Sequence, residues 1–371
     1  MMILAGHTAL RYWSLLSSQG GLGAVHGLMP LTPHDLRKMA FPHRRGPVPS
    51  GSPTASELER IERLGLTEEG RPVTVLVGHR DSRRRPPHVT CIVCSVGLPA
   101  RCLYPLCAHG RQIDGLYVCS PELAICHVFA KETPDIVTRL RLLLELTGSY
   151  RLIGDELRTH CPPITSVRGM RSFTSRAMDV RGRSTLADTI PFAMEGSASP
   201  AETALAIAFS LPLRHGGARL GKPVLNRELR LNPQARAILG RDTITPDLLF
   251  FGPKTPAMGF PLEYESRKFH SVEDQAAYDE MRRNTYAAMG SGCFLARPQH
   301  MKSARAFDAM AAVVAKNTGI RLSPLDHSQQ RRHESFLDHA LELWRTPGKG
   351  EPSDEMPGYE DDMQAYEDWL E

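Results

Sequence analysis

The sequence predicts a two-domain α/β protein. Three observations carry that expectation. The chain is 371 residues long, enough for two cores of ordinary size. Its first half interleaves β-branched runs with amphipathic ones. Past Pro191 the order of elements reads helix, three strands, helix, strand. Hydrophobic residues make up 41% and charged residues 23%, which excludes a disordered chain. No run approaches the ~18 uninterrupted apolar residues of a spanning helix, so no membrane partner is expected. The opening "MMILAGHTALRYWSLL" has no basic n-region ahead of its apolar run, and the expected location is the cytoplasm.

Residues 1–190 read as an N-terminal α/β domain. It begins with a short amphipathic helix around "TALRYWSLL". Residues 28–54 are dense in Pro, Ser and Gly and read as a surface loop or linker. "SELERIERLGL" predicts a helix with Ser56 as N-cap and Glu59 in the capping-box position. "PVTVLVG", "VTCIVCSV" and "GLYVCS" predict strands. "PELAICHVFAKE" and the whole of "PDIVTRLRLLLELTGSYRLIGDELRTH" predict helices.

Four of the eight cysteines, Cys91, Cys94, Cys102 and Cys107, have a spacing that only loosely resembles that of a zinc site. Their β-branched surroundings favour buried free thiols in a reducing compartment, and a structural zinc is not expected.

Residues 195–345 form the second predicted domain. "SPAETALAIAFSLP" carries a helix start in its first residues: Ser199 as N-cap, Pro200 at the first helical position, Glu202 completing a capping box. "PVLNREL", "TPDLLFF" and "FPLEYES" follow as strands, then "SVEDQAAYDEMRRNTYAAMG" as a helix ending in glycine and "GCFLARP" as the last strand. Residues 346–371 are an acidic tail. Nine acidic residues and no Lys or Arg follow Gly350, so the net charge of +4 resolves into +13 before that point and −9 after it.

Carboxylates are costly to bury unless they are paired, hydrogen-bonded or bound to a metal. Yet Asp247, Glu263 and Glu265 stand in runs that otherwise read as buried strand. Residues two apart on a strand share a face, so Glu263 and Glu265 project together, and Asp247 stands near the start of the neighbouring strand. Three such carboxylates suit one hard divalent cation. A basic cluster lies upstream: residues 160–184 hold five arginines, among them Arg168, Arg171 and Arg176, and one acid, Asp179. That composition suits either a solvated face or a surface for nucleic-acid phosphates.

In "SPAET", "PDLLFF", "EYESRKFH" and "YDEMRRN" the chain resembles the PD-(D/E)XK nuclease superfamily, most closely its very-short-patch repair endonuclease branch. The resemblance implies a restriction-endonuclease-like core and hydrolysis of DNA phosphodiester bonds with Mg²⁺ or Mn²⁺. It implies metal binding by Glu202, Asp247, Glu263 and Glu265, with His270 beside the metal and Lys268 available to assist. Asp279 and Arg282 or Arg283 would belong to the helix behind. This chain departs from the branch in having Glu265 in place of Asp, and in lacking the lysine two positions after Glu263. Upstream, "YVCSPELAICHVFA" and "RSTLADTIPFAM" resemble a region, similar to abortive-infection antitoxins of the AbiE type, that some bacterial proteins join to such a nuclease-like domain. The expected partner is DNA, contacted by Arg168, Arg171, Arg176, Arg282 and Arg283. Two rival readings stay open: a DNA-binding regulator or antitoxin-like protein that keeps the nuclease fold without turnover, and a basic protein that binds an acidic partner.

Overall fold

The computed structural model describes residues 1–18, 48, 50–80, 87–94, 97–108, 111–255, 257–264 and 272–345. Most of the proline-rich stretch 28–54 and all of the tail 346–371 lie outside them. The architecture is mixed α/β, in two compact units. Unit 1 comprises Met1–Asp135 and Cys161–Pro191, and unit 2 comprises Ile136–His160 and Phe192–Glu371. The division is therefore not the single break near 190 that the sequence suggests, because Ile136–His160 belongs to unit 2.

Unit 1 opens with β1 (Met2–Leu4) and α1 (Gly6–Ser18), followed by α2 (Ala55–Arg63). The capping box of α2 is formed by Thr54 and Glu57, two residues ahead of the expected pair. The strands β2 (Val73–Val77), β3 (Val89–Val93), β4 (Leu103–Ala108) and β5 (Arg111–Cys119) join β1 in a five-stranded sheet of order β3-β2-β1-β5-β4. Neither β1 nor β4 is expected from the sequence. β4 is broken by a register shift between Pro105 and Cys107, where proline has no N–H to offer the ladder. The Tyr12 hydroxyl fills the gap: it accepts from the Cys107 amide at 3.0 Å and donates to the Cys107 carbonyl at 3.1 Å. Trp13 of the same helix donates to the Cys119 carbonyl at 2.8 Å. All eight cysteines are free. Cys91 and Cys107 stand on the two edge strands, four inter-strand spacings or about 19 Å apart. The four spaced cysteines thus do not share one ion, whose thiolate ligands would lie about 2.3 Å from it. Burial pushes the Cys102 thiol up to about 12, so it stays protonated.

After α3 (Pro121–Glu132) the chain passes into unit 2 as α4 (Ile136–Thr147), β6 (Arg151–Ile153) and β7 (Glu156–Arg158), then returns to unit 1 as α5 (Val167–Arg176) and α6 (Arg183–Thr189). The long predicted helix over 134–160 stops at Thr147. The fully buried Arg151 closes its end, donating to the carbonyls of Glu145, Gly148 and Tyr150. Beyond it, β6 and β7 pair around Gly154-Asp155, with Gly154 at φ +62°, the left-handed conformation that a two-residue hairpin requires.

The centre of unit 2 is α7 (Pro200–Ser210), buried on every side from Ala201 to Phe209. Its alternating alanines let neighbours approach closely, and Phe209 packs against Phe250 and Phe307 at ring-centroid distances of 5.0 and 4.8 Å. There follow β8 (Val224–Leu225), β9 (Leu229–Arg230), α8 (Pro233–Leu239), β10 (Thr243–Ile244), β11 (Leu248–Phe250), β12 (Phe260–Tyr264), α9 (Val272–Ala288), β13 (Phe294–Ala296), α10 (Ala304–Thr318) and α11 (His327–Arg345). One sheet has the order β13-β12-β11-β8, antiparallel from β8 through β12 and parallel between β12 and β13. Helix, three strands, helix and strand thus occur in the expected order. The difference lies in the first predicted strand, which stops at Leu225. Its continuation β9 pairs instead with β10 around the unexpected helix α8.

Nine residues join β11 to β12, and the backbone packs closely at the start of β12. A Cβ at Gly259 would come within 2.7 Å of the Leu249 side chain, and its φ of +75° suits glycine alone. Among the described residues, no helix is long and apolar enough to cross a membrane.

A buried histidine fastens α11. The two ring nitrogens of His333 face the Gly216 carbonyl oxygen and, at 2.8 Å, Asp308 Oδ1. Both partners are acceptors, so the ring satisfies both only as the imidazolium. Burial works against that charge, but the bonds to Asp308 and Gly216, helped by nearby Glu334, outweigh it and raise the pKa above 6.5. The stability this contributes is full below the unfolded pKa of about 6.5 and is lost as pH rises through the higher folded value. Urea unfolding of the wild type and His333→Gln at about pH 6 and about pH 8.5 should show a loss in the wild type larger by about 1 kcal/mol. Equal losses would mean the ring is not the titrating clamp.

Candidate functional site

The register of the unit 2 sheet lines up Leu225, Leu248 and Leu262 across three strands. One step toward the same end of the sheet, the next row is Asn226, Asp247 and Glu263, and side chains of one row share a face. The leucine row is buried on one face, and the polar row turns to the other, toward the first turn of α7. Backbone bonds hold the row together: the Asn226 amide donates to the Asp247 carbonyl at 3.1 Å, and the Tyr264 amide donates to Asp247 Oδ2 at 2.6 Å.

Glu202 joins from α7. Ser199 caps the helix as expected, accepting from the Glu202 amide and donating to Glu202 Oε1 at 2.9 Å. The second oxygen of Glu202 accepts from the Ala198 amide at 2.8 Å, one residue ahead of the usual capping-box donor. It also accepts from Asn226 Nδ2 at 2.5 Å. Asn226 therefore links the helix cap to the strand row. It does so at φ +47°, a left-handed conformation that asparagine tolerates better than most residues.

Glu263 is buried, and α9 supplies its partners. Arg282 and the Tyr286 hydroxyl both donate to Glu263 Oε1, and the Asp247 amide approaches Oε2 at 3.4 Å. Arg282 also donates to the Thr245 carbonyl at 3.1 Å and lies over the Tyr278 ring at 5.8 Å. Tyr278, Arg282 and Tyr286 are spaced by four, so they form one stripe of α9. Behind Tyr286 lies a small core of Leu231, Ala235, Leu239 and Ile244, all from the β9–α8–β10 insertion. Asn232 adds a bond to the Ala288 carbonyl at 2.8 Å. The insertion thus holds α9 and places Tyr286.

Among the described residues, three carboxylates face one cation here, and their pKa values register the imbalance. Burial, less strongly opposed by the bonds from Ala198, Ser199 and Asn226 and aided by the Glu263 charge, pushes Glu202 up to about 7. Burial and then the charges of Glu263 and Glu202 raise Asp247 well above the ordinary range. Burial opposes the charge of Arg282 most strongly, but Glu263, with Tyr286 and Tyr278, together outweighs it and raises its pKa well above the ordinary value.

Of the residues expected at a site, Glu202, Asp247 and Glu263 are brought together. Glu265, Lys268 and His270 lie outside the described residues. Arg282, expected at a nucleic-acid surface, is instead committed to Glu263. Arg283 is exposed on the same helix, and Asp279 is buried with Arg297 at 3.5 Å from its carboxylate. Arg168, Arg171 and Arg176 lie on α5 in unit 1. Sequence reasoning missed Asn226 and Tyr286, although the four-residue spacing from Arg282 to Tyr286 was visible. Among the described residues, no group of three or more His, Cys, Asp or Glu side chains is arranged to hold a metal ion. No protein-family model, curated protein or solved structure matches this chain.

The imbalance has a measurable consequence. A raised carboxylate pKa lowers stability as pH climbs from the unfolded toward the folded value. Asp247→Asn keeps the acceptor for the Tyr264 amide and should therefore stabilise the protein at about pH 8 by about 1 kcal/mol or more, with no gain near pH 3.5. Arg282→Met should instead cost roughly 3–5 kcal/mol, as removal of one partner of a buried pair does. Thermal unfolding of the two variants checks both signs, and destabilisation by Asp247→Asn at pH 8 would contradict the charge count.

Proposed function

We propose that unit 2 is a metal-dependent nuclease-like domain that hydrolyses DNA phosphodiester bonds. The observation that carries this reading is the row Asn226, Asp247, Glu263 facing Glu202. Among the described residues, three buried or half-buried carboxylates there are balanced by a single arginine. Buried acids in excess of their counter-charges are what a hard cation offsets. The order of helix, antiparallel strands, helix and parallel strand supports the same reading, as far as architecture bears on function at all.

The donor chemistry fits Mg²⁺ or Mn²⁺ at Asp247 and Glu263. Among the described residues, Asp247 Oδ1 has no hydrogen-bond partner, and Glu263 Oε2 has only the long contact from the Asp247 amide. Glu202 fits less well, since both its oxygens serve the cap and Asn226. A bound divalent cation would supply an activated water and polarise the phosphoryl oxygen. The chain's own residues do the positioning. Arg282 and Tyr286 fix one oxygen of Glu263 and so aim the other toward Asp247, while Asn226 holds Glu202 against the strand row. Glu265 is assigned to orient the attacking water, and His270 or Lys268 to proton transfer or to steadying the developing charge.

One observation favours a second reading. Arg282 already neutralises Glu263 without a metal, which suits a domain that keeps the nuclease fold and binds DNA without turnover, as a regulator or antitoxin-like protein would. Cleavage of supercoiled, linear and single-stranded DNA with Mg²⁺ and Mn²⁺ separates the two. The nuclease reading expects nicking or cutting that Glu263→Gln abolishes. Wild-type inactivity on every substrate with both metals transfers the assignment to the regulator.

A further inference from the structure

Among the described residues, helix α5 of unit 1 has one exposed face, and it carries only arginine and serine. Met170, Phe173 and Thr174 point into the unit, and the Ser166 side chain caps the start by accepting from the Gly169 amide. Arg168, Arg171, Ser172, Ser175 and Arg176 are exposed, at steps of three and four that place them in one stripe. Charged stripes on helices are usually tied down by neighbouring acids. Among the described residues, none of Arg168, Arg171 or Arg176 forms an ion pair. The nearest acids are otherwise placed: Glu122 accepts from the Thr165 hydroxyl at 2.5 Å, and Asp179 lies exposed beyond the helix end.

The stripe is also held rigid. Arg176 donates to the Ser172 carbonyl at 3.0 Å and to the Ala100 carbonyl at 3.1 Å, which brings it beside exposed Arg101. Arg183 donates to the Thr174 carbonyl at 2.8 Å and so fastens the last turn. Met178, 64% exposed, follows directly and is the most exposed large apolar side chain among the described residues.

We propose that this face of α5 is a docking surface for double-stranded DNA, bound through its phosphate backbone. Charge complementarity carries the choice. Arg168 and Arg176, eight positions apart on the helix, lie about 12 Å apart along its axis, comparable to the width of the major groove. A duplex presents about one negative charge per 1.7 Å along its axis. Serines between the arginines are short enough to let the helix backbone approach and can bond phosphate oxygens. Exposed Met178 at the end of the stripe is the kind of apolar side chain that packs on sugar or between base steps. No aromatic side chain is exposed on α5, so a single-stranded ligand would find no stacking platform there. The surface gives affinity without base readout, and it belongs to unit 1, whereas the carboxylate row belongs to unit 2.

The test measures binding of the full-length protein to a fluorescent duplex of about 30 base pairs by anisotropy, in EDTA, over a salt series. Without divalent metal no cleavage step enters, so failure of the nuclease reading leaves the measurement intact. Arg168→Ala/Arg171→Ala should weaken binding to every duplex sequence alike and reduce the slope of log affinity against log salt by about two units. These two arginines make no hydrogen bond that holds the helix, and Arg168→Lys/Arg171→Lys, which keeps both charges, should restore the slope. The proposal is overturned by a wild type that does not bind the duplex, by an unchanged slope in the alanine variant, or by a lysine variant that stays defective. It is equally overturned if single-stranded RNA or polyglutamate binds as tightly as the duplex and loses as much.

Discussion

The ion pair between Glu263 and Arg282 is the contact on which the organisation of unit 2 depends. Glu263 sits near the end of β12, beyond the buried Phe260, Pro261 and Leu262, and a lone carboxylate there would be prohibitively costly. Arg282 removes that cost and at the same time donates to the Thr245 carbonyl, just ahead of Asp247. One guanidinium thus joins the end of β12, the approach to β11 and the middle of α9. Because Arg282 is held by Tyr278 and Tyr286, and Tyr286 by the β9–α8–β10 insertion, the geometry of the carboxylates reaches back to a helix with no polar group in the site. A small apolar cluster of Leu231, Ala235, Leu239 and Ile244 is in this sense part of the site's support.

Much of this arrangement was legible because it rests on local rules. The start of α7 follows from Ser199-Pro200-x-Glu202, where cap, fixed φ and reciprocal acid agree. The pairing of Asp247 with Glu263 is consistent with the hydrophobic pattern, because the buried face pairs Leu248 with Leu262 and so sets Asp247 opposite Glu263. The order helix, three strands, helix, strand from α7 to β13 could be read because each of these strands is short and bounded on at least one side by glycine or proline.

What was not legible depends on tertiary contacts or on breaks inside a continuous pattern. "PVLNREL" has the alternation of one strand, but Asn226 takes a left-handed conformation and divides it between two sheets. The apolar periodicity of residues 134–160 runs through Gly148 and Gly154 without interruption, whereas the chain turns at both, held by a buried arginine that composition would place outside. β1 and β4 were missed because a three-residue strand and a strand containing proline both fall below any periodicity signal. In α2 two overlapping capping boxes, Thr54–Glu57 and Ser56–Glu59, compete on equal local terms, and the backbone chose the earlier one.

Glu202 shows why capping and a functional role need not be rival explanations for one residue. A glutamate that only capped a helix would be solvated at the surface, with its pKa pulled down by the amides it accepts from. Glu202 accepts a backbone amide, a serine hydroxyl and an asparagine amide, all of which favour its charged form, and its pKa is nevertheless pushed up to about 7. Burial and the neighbouring Glu263 charge overcome three stabilising bonds. Capping therefore explains how Glu202 is held and leaves unexplained why an acid is held so deep. A neutral glutamine would cap α7 at lower electrostatic cost, since it too can accept an amide and complete the box. The negative charge suits the N-terminal end of α7, but burial and the Glu263 charge oppose it. Beside Asp247 and Glu263 that charge is a cost to the fold, which the proposed nuclease reading would offset with a divalent cation at the row.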